Sequence, residues 1–564
     1  MRGRRTALVP VALALACAPL ACRRPADVPP AEDGGGALAP LHLRDVTDAS
    51  GVDLTLTSGR TPSTQILEVK GAGLALLDVD GDGDLDLLAP NGATLDAPDA
   101  GPGARLYRND GGLRFTDATE AAGLEFRRWG FGCAVGDVEG DGDDDVAVAC
   151  FGENALLRND GGKLSDRAAE AGVAGKADAW STAACFGDVD RDGDLDLYFA
   201  NFLRFDPAEP PPPMEFAGVE VFGGPMGLEP QADVLYENRG DGTFADVSLA
   251  MGILAVEPGY GLGVAHLDFD LDGRPEIFVG NDSGPNHLFW RRDDGPFRDR
   301  GLASGIATNA EGGQQATMGI AIGDVSGNGL PDVYTTNFMN DTNTLHVNDG
   351  DLFFEDRTQR YGLGIGSRPY LGWAAMFVDL DHDADEDLLV FNGHVYPEEI
   401  TEPHRWGFRQ TPLLYERDGE RFVPATADRA GAWLGERHRD RTAVFGDLDR
   451  DGDVDVVVGG VNEKLRVLEN DGARASWLVV RLIDPTAKNP RGLGARVTAT
   501  FGDRTLVRWI HTAGSYQASN APEAHFGLGG HEGPVKLEVT WPDGATQTAE
   551  AKARTTADVA RESG

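Results

Sequence analysis

The chain has 564 residues, enough to bury a large core and to hold more than one domain. Its 50 Lys and Arg stand against 92 Asp and Glu, a formal charge of −42, which argues against nucleic-acid binding because that needs a basic patch. Beyond the first residues, no stretch approaches the roughly 20 apolar residues of a membrane span.

Residues 1–22 read as an export signal. Arg2, Arg4 and Arg5 precede an apolar run from Leu8 to Ala16, and small residues then lead to Cys17 and Cys22. Cys22 resembles the lipidation site of a bacterial lipoprotein; Cys17 is the alternative, and ordinary signal-peptidase cleavage is the reading without a lipid. Residues 23–40, rich in Pro, Gly and Ala, read as a flexible tether. The expected location is the bacterial cell envelope, lipid-anchored at the outer membrane or cell surface, or secreted.

Leu43-Arg-Asp-Val-Thr is a strand with no neighbour in sequence to pair with. From Gly73 onward the chain repeats itself: seven Asp-x-Asp-x-Asp-Gly-x-x-Asp clusters follow, each between short apolar runs. The first carries Asp78, Asp80, Asp82, Asp84 and Asp86; the second Asp137, Glu139, Asp141, Asp143 and Asp145; the third Asp188, Asp190, Asp192, Asp194 and Asp196. The fourth carries Asp268, Asp270, Asp272, Arg274 and Glu276; the fifth Asp324, Ser326, Asn328, Leu330 and Asp332. The sixth has Asp379, Asp381, Asp383, Asp385 and Asp387, and the seventh Asp447, Asp449, Asp451, Asp453 and Asp455. Oxygens at positions 1, 3, 5 and 9, with the backbone carbonyl of position 7, suit Ca²⁺, which takes roughly six to eight oxygens at about 2.3–2.6 Å. Up to seven ions are expected, and they would offset a third of the net charge.

The EF-hand shares the first positions but needs a bidentate Glu at position 12. Here that position is Ala89, Val148, Phe199, Val279, Thr335, Val390 and Val458, none of which can chelate. The flanking runs also lack helical period, so each loop reads as the tip of a β-hairpin. Each hairpin is followed by a second one: Leu106-Tyr-Arg-Asn-Asp-Gly leads to Phe115-Thr-Asp, and similar pairs start at Leu235 and Leu345. Four short antiparallel strands, A to D, repeated seven times, predict an all-β, seven-bladed β-propeller over 41–475. The last unit lacks strand D, and the orphan strand at Leu43 is expected to supply it and so remove the open edges. Ser326 and Asn328 should weaken the fifth loop. Ala384 replaces Gly in the sixth, where a positive φ would cost about 1 kcal/mol.

In a propeller, the A–B and C–D turns share one face. On the other face, two B–C connections are long, 201–232 and 392–411. Eight residues before each loop sit Lys70, Trp129, Trp180, Tyr260, Ala316, Leu371 and Arg439. Trp129, Trp180, Tyr260 and Arg439, with His394 nearby, form the candidate ligand face; plain channel packing is the alternative, and His394 reads as a hydrogen-bonded histidine rather than a catalytic one. Residues 476–564 alternate like the strands of a small β-sandwich, with Trp541-Pro-Asp-Gly as a turn. Cys133 and Cys150 could pair across their hairpin or stay as buried thiols, as at least one of these and Cys185 must.

Asn489-Pro-Arg-Gly-Leu-Gly-Ala-Arg-Val, Gly514-Ser-Tyr, His525-Phe-Gly-Leu-Gly and Val539-Thr-Trp-Pro-Asp-Gly mark the tail. With the seven hairpins, they make the chain resemble FG-GAP/VCBS-repeat proteins of the cartilage acidic protein family with an ASPIC/UnbV tail. The hairpins are similar to the calcium hairpins of integrin α-subunit propellers. The resemblance implies an extracellular calcium-binding or interaction protein and carries the calcium ligands over loop by loop. The leading reading is an adhesion or ligand-binding scaffold, monomeric, meeting a protein or glycan at the face opposite the calcium loops. The alternative is a lyase-like, calcium-dependent polysaccharide enzyme using His394, Tyr396 and Arg439. No Gly-x-Ser-x-Gly, His-Glu-x-x-His, Cys-x-x-Cys or Walker-type signature supports catalysis. A purely structural role in an envelope complex is a third reading.

Overall fold

The computed structural model describes residues 41–472 and 475–562. The expected signal, the tether and Cys22 lie outside the described residues. Seven antiparallel sheets of A, B, C and D strands follow one another along the chain. The second blade is representative: strand A is Gly130–Gly136, strand B Asp145–Cys150, strand C Ala155–Asn159 and strand D Leu164–Asp166. Strands A and B are buried throughout and read as continuous apolar runs because sheets cover both of their faces. Each B strand starts at position 9 of its acidic loop: Asp86 lies opposite Leu77, Asp145 opposite Gly136 and Asp455 opposite Gly446.

The A strands pack against their neighbours in chain order, and that of the seventh blade (Asp440–Gly446) packs against that of the first (Leu74–Leu77). The ring is therefore closed, as a β-propeller. The strand Leu43–Asp45 completes the seventh blade as expected, with Leu43 opposite Asn470 and Asp45 opposite Leu468.

The C-terminal segment forms two sheets. In one, Ser476–Ile483 lies between Ala524–Gly529 and Thr555–Ala560; in the other the order is Arg504–Trp509, Arg496–Phe501, Pro534–Thr540, Thr546–Lys552. Leu478, Val480, Val497, Ala499, Phe526 and Val539 fill the core that the two sheets share. Between Trp509 and Ala524 the chain leaves this domain and enters the propeller channel as a finger. Ala518–Ser519 runs parallel to strand A of blade 1, and Ser515 exchanges backbone hydrogen bonds of 2.9 and 2.6 Å with Ile320 of blade 5. Ser519 Oγ accepts from Val135 N of blade 2 at 3.0 Å, and Asn520 Oδ1 from Phe445 N of blade 7 at 3.1 Å. Tyr516 has no exposed surface and packs edge-on against Trp373 of blade 6, with ring centroids 4.8 Å apart.

Cys133, Cys150 and Cys185 are free and buried. Cys133 faces Val148 across the hairpin while Cys150 faces Gly130, so the two are not partners in register. Burial pushes the Cys150 and Cys185 thiols up to about 12, which makes them inert packing groups.

Candidate functional site

All seven acidic loops fold alike, and backbone N–H groups fix their carboxylates. The position 1 carboxylate accepts from the backbone N–H of position 6 in every loop, from Gly142 to Asp137 at 2.7 Å up to Gly193 to Asp188 at 3.1 Å. The side chain at position 5 accepts from the N–H of position 7 in the same way. Position 6 is left-handed throughout. Ala384 adopts φ 74° there, the strain foreseen from the sequence, while the six glycines need no Cβ in that region. Position 4 is left-handed as well, at Arg191, Leu271, His382 and Arg450 among others, although these residue types give no sign of it.

These folds bring the expected ligands together. Oxygens of Asp78, Asp80 and Asp82 lie within 4.8 Å of one another, as do those of Asp137, Glu139 and Asp145, of Asp188, Asp190 and Asp196, and of Asp268, Asp270 and Glu276. Asp78 Oδ1, Glu139 Oε2, Glu276 Oε1, Ser326 Oγ and Asp447 Oδ1 are buried without a hydrogen-bond partner. Buried acceptors of this kind cost about 1–3 kcal/mol each unless something satisfies them. The donor set is all oxygen and, apart from Ser326 and Asn328 of the fifth loop, anionic, which fits a hard cation such as Ca²⁺. Burial pushes Asp86 up to about 7, Asp145 and Asp196 up to about 8, and Glu276, Asp387 and Asp455 well above the carboxylate range, with neighbouring carboxylates adding to the effect. Such groups call for neutralisation by a proton or a cation. In the second loop a guanidinium already does part of this, since Arg158 pairs with Glu139.

The loops are joined in a ring by the Asn of the C–D turns, a residue whose local pattern signals only turn chemistry. Asn109 donates from Nδ2 to Leu448 O of the preceding blade's loop, Asn159 to Val79 O, Asn238 to Val138 O, Asn348 to Phe269 O and Asn470 to Leu380 O, at 2.7 to 2.9 Å. Arg291 and Arg417 take this place in the other two blades, donating to Val189 O and Val325 O. Every recipient is position 2 of a loop. The backbone N–H of the same Asn binds the position 9 carboxylate of its own blade, as Asn348 N does to Asp332 at 2.8 Å. Position 9 thus ties a loop to its own C–D turn, and the Asn ties that turn to the loop of the preceding blade.

The loop face is not open. The C-terminal domain sits on it through side chains at positions 7 and 8: Lys488 pairs with Asp194 at 2.6 Å, Arg491 with Asp144 at 3.3 Å, Arg504 with Asp385 at 2.8 Å and Arg508 with Glu386 at 3.2 Å.

The aromatic rim expected on the opposite face is not available to a ligand. Trp129 and Trp180 have no exposed surface, Arg439 is 6% exposed and bound to Glu463 at 3.1 Å, and half-buried Tyr260 donates to Leu228 O at 2.8 Å. His394 is fully buried, with Nε2 2.9 Å from Met339 Sδ, and burial pushes it down to about 3. The physical reason is that the channel closes over these groups from both ends. The long connection of blade 3 packs Phe202 and Phe205 onto Trp180, with centroids at 5.0 and 5.7 Å, and its hairpin Met214–Val221 sets Phe216 against Tyr396 and Trp406. Arg441, not Arg439, reaches the axis: it lies 4.2 Å above Trp373 and donates to the carbonyls of Val69, Gly393, Asp440 and His394. Lys70 is likewise buried there, paired with Asp282 at 3.1 Å.

A model of FG-GAP-like repeats matches residues 78–148, 137–199 and 268–335, and the ASPIC and UnbV model matches residues 485–559. Cartilage acidic protein 1 of Homo sapiens is 25% identical over 507 residues, covering 84% of this chain and 69% of that protein. The Xenopus tropicalis protein of the same name is 27% identical over 320 residues, 54% of this chain and 45% of that one. Among solved structures, YCF48 bound to D1 peptide aligns over 78% of this chain and 99% of its own, with 9% identity and a TM-score of 0.39.

Proposed function

We propose that this chain, which carries FG-GAP-like repeats and a C-terminal ASPIC/UnbV domain and is homologous to cartilage acidic protein 1, is an exported, calcium-stabilised propeller that binds a protein or glycan without chemistry. The supporting observation is the loop set: seven times, carboxylates are held in place by backbone donors, several of them keeping a buried oxygen unpartnered. Positions 1, 3, 5 and 9 would hold the ion, and it would neutralise carboxylates that burial has already pushed up. Because the loops are linked through Asn109 and its counterparts, a filled loop would stiffen its neighbours. Calcium is then structural. No helix among the described residues is long and apolar enough to cross a membrane. Anchorage would rest on a lipid at Cys22.

With the C-terminal domain on the loop face, the opposite face is left for a macromolecular ligand. There the contact surface would be the cap built from 201–232 and 392–411, where Phe216, Phe222 and Trp406 are only partly buried. The lyase-like reading finds less support, because His394 and Arg439, its base and its charge partner, are enclosed rather than set in a cleft. The test is capture: the mature chain is immobilised in millimolar calcium, offered envelope proteins and polysaccharides, and eluted with a chelator. An intact protein or glycan that a cap variant (Phe216→Ala with Trp406→Ala) no longer retains supports the scaffold. Shortened or unsaturated sugars in the flow-through would replace it with the enzyme.

A further inference from the structure

A cavity of about 300 Å³ opens where the third and fourth acidic loops meet the C-terminal domain. One wall is a row across the second sheet of that domain. Arg496 stands opposite Trp509 on one neighbouring strand and opposite Thr540 on the other, so the three share a face. The turn that follows adds Trp541, and the blades add Arg191 and His266. His266 fits because position 187 is glycine: a Cβ there would lie 1.9 Å from its Nδ1.

The polar atoms of this wall are unsatisfied. Trp509 Nε1, Trp541 Nε1, Arg496 Nε and His266 Nε2 have no hydrogen-bond partner, although Trp541, Trp509 and His266 are only 2%, 6% and 8% exposed. The two indoles and the guanidinium are donors only, so a ligand that relieves them must bring acceptor oxygens. Charge points the same way. In a chain with 92 acidic and 50 basic residues, Arg191 and Arg496 form no ion pair among the described residues. Three carboxylates also line the cavity, Asp188, Asp268 and Asp272, each turned into its own loop by a backbone donor, Gly193 N, Gly273 N and Arg274 N, where a bound cation would offset its charge. The volume is at the lower end of the roughly 300–1,000 Å³ of small-molecule sites, which suits one or two rings.

We propose that this cavity binds a small acidic sugar of the hexuronic acid class. Its carboxylate lies against Arg496 and Arg191, and its hydroxyl oxygens accept from the indole N–H groups at the edge of the cavity. The site is separate from the cap on the opposite face, and either can fail without the other.

The test uses the calcium-loaded mature chain and D-glucuronate, followed by tryptophan fluorescence and calorimetry. D-glucose keeps the ring without the carboxylate, and cyclohexanecarboxylate keeps the carboxylate without the hydroxyls. Saturable glucuronate binding, about tenfold or more tighter than either control, is the expected result. Arg496→Gln should weaken it about tenfold, and the exposed Arg191→Gln, which leaves the core untouched, several-fold, with the bound calcium count unchanged in both. Glucose or cyclohexanecarboxylate binding as tightly as glucuronate would overturn the proposal. So would undiminished binding in both variants, or no saturation at millimolar glucuronate.

Discussion

The tips of the blades and the channel at their centre are held together by opposite means. At the tips, one polar device is copied seven times, and each copy is anionic, hydrogen-bonded and linked to the next through an Asn or Arg. In the channel nothing is copied. A single finger around Tyr516 enters from the loop side, a single hairpin around Phe216 closes the other side, and buried aromatic contacts are joined by one-off hydrogen bonds such as those of Ser519 and Arg441. A copied device should fail by degrees, whereas a single-copy element has no substitute. The tips should then answer to ionic conditions, and the channel to fit.

Stripping divalent ions should have the largest effect, because it strikes all the tips at once. If each filled site contributes on the order of 1 kcal/mol at millimolar calcium, losing them lowers the unfolding midpoint markedly. The loss should grow with pH. Groups such as Asp86, at about 7, and Asp145, at about 8, sit above the ordinary carboxylate value, so the folded metal-free protein holds protons that the unfolded chain has released. Its stability is then greatest near pH 4 and is lost as pH rises through 7 to 8. Thermal scans of calcium-stripped protein should give a lower midpoint at pH 8 than at pH 5, and millimolar calcium should abolish that order. The same midpoint at both pH values would mean that the loops are not strained by charge.

Tyr516→Ala comes next. It empties the middle of the finger and should cost about 3–5 kcal/mol in urea unfolding, with or without calcium. An effect that vanished when calcium was removed would show that tips and channel are one unit rather than two. Asn348→Ala removes one link of the ring, leaves Phe269 O and Pro331 O short of a donor, and should cost about 1–3 kcal/mol. In a ring of links it should also weaken calcium binding at the fourth and fifth loops together, which calorimetry can resolve. The smallest change runs the other way: Ala384→Gly relieves the left-handed backbone of the sixth loop and should raise stability by about 1 kcal/mol.

The same contrast decides what could be read in advance. Ligand spacing is local, so the loops and the hairpins follow from residues within a few positions of one another, and the closure by Leu43 follows from the repeat itself, whose last copy lacks a strand D. The linking Asn also recurs in plain view, at 109, 159, 238, 348 and 470, but its partner lies in another blade, and in isolation Asn-Asp-Gly looks like nothing more than a tight turn. Gly514-Ser-Tyr stood out in the tail, yet no pattern says that Tyr516 belongs in a channel formed up to several hundred residues earlier. Trp129 and Trp180 looked like a rim for the same reason: whether an aromatic residue meets solvent or another ring depends on what the long connections do. Arg441 carries no local signal, since the eight-residue spacing falls on Arg439, two residues away and bound to Glu463.

Counting bound calcium directly tests the central claim that the acidic loops hold calcium. The mature chain would be dialysed to equilibrium in millimolar calcium and its metal measured by mass spectrometry, beside a variant with Asp78, Asp80 and Asp82 changed to Ala. Up to seven ions per chain, and one fewer in the variant, is the predicted result. A chain that retains no calcium above the buffer level, or a variant that retains as much as the parent, would contradict it.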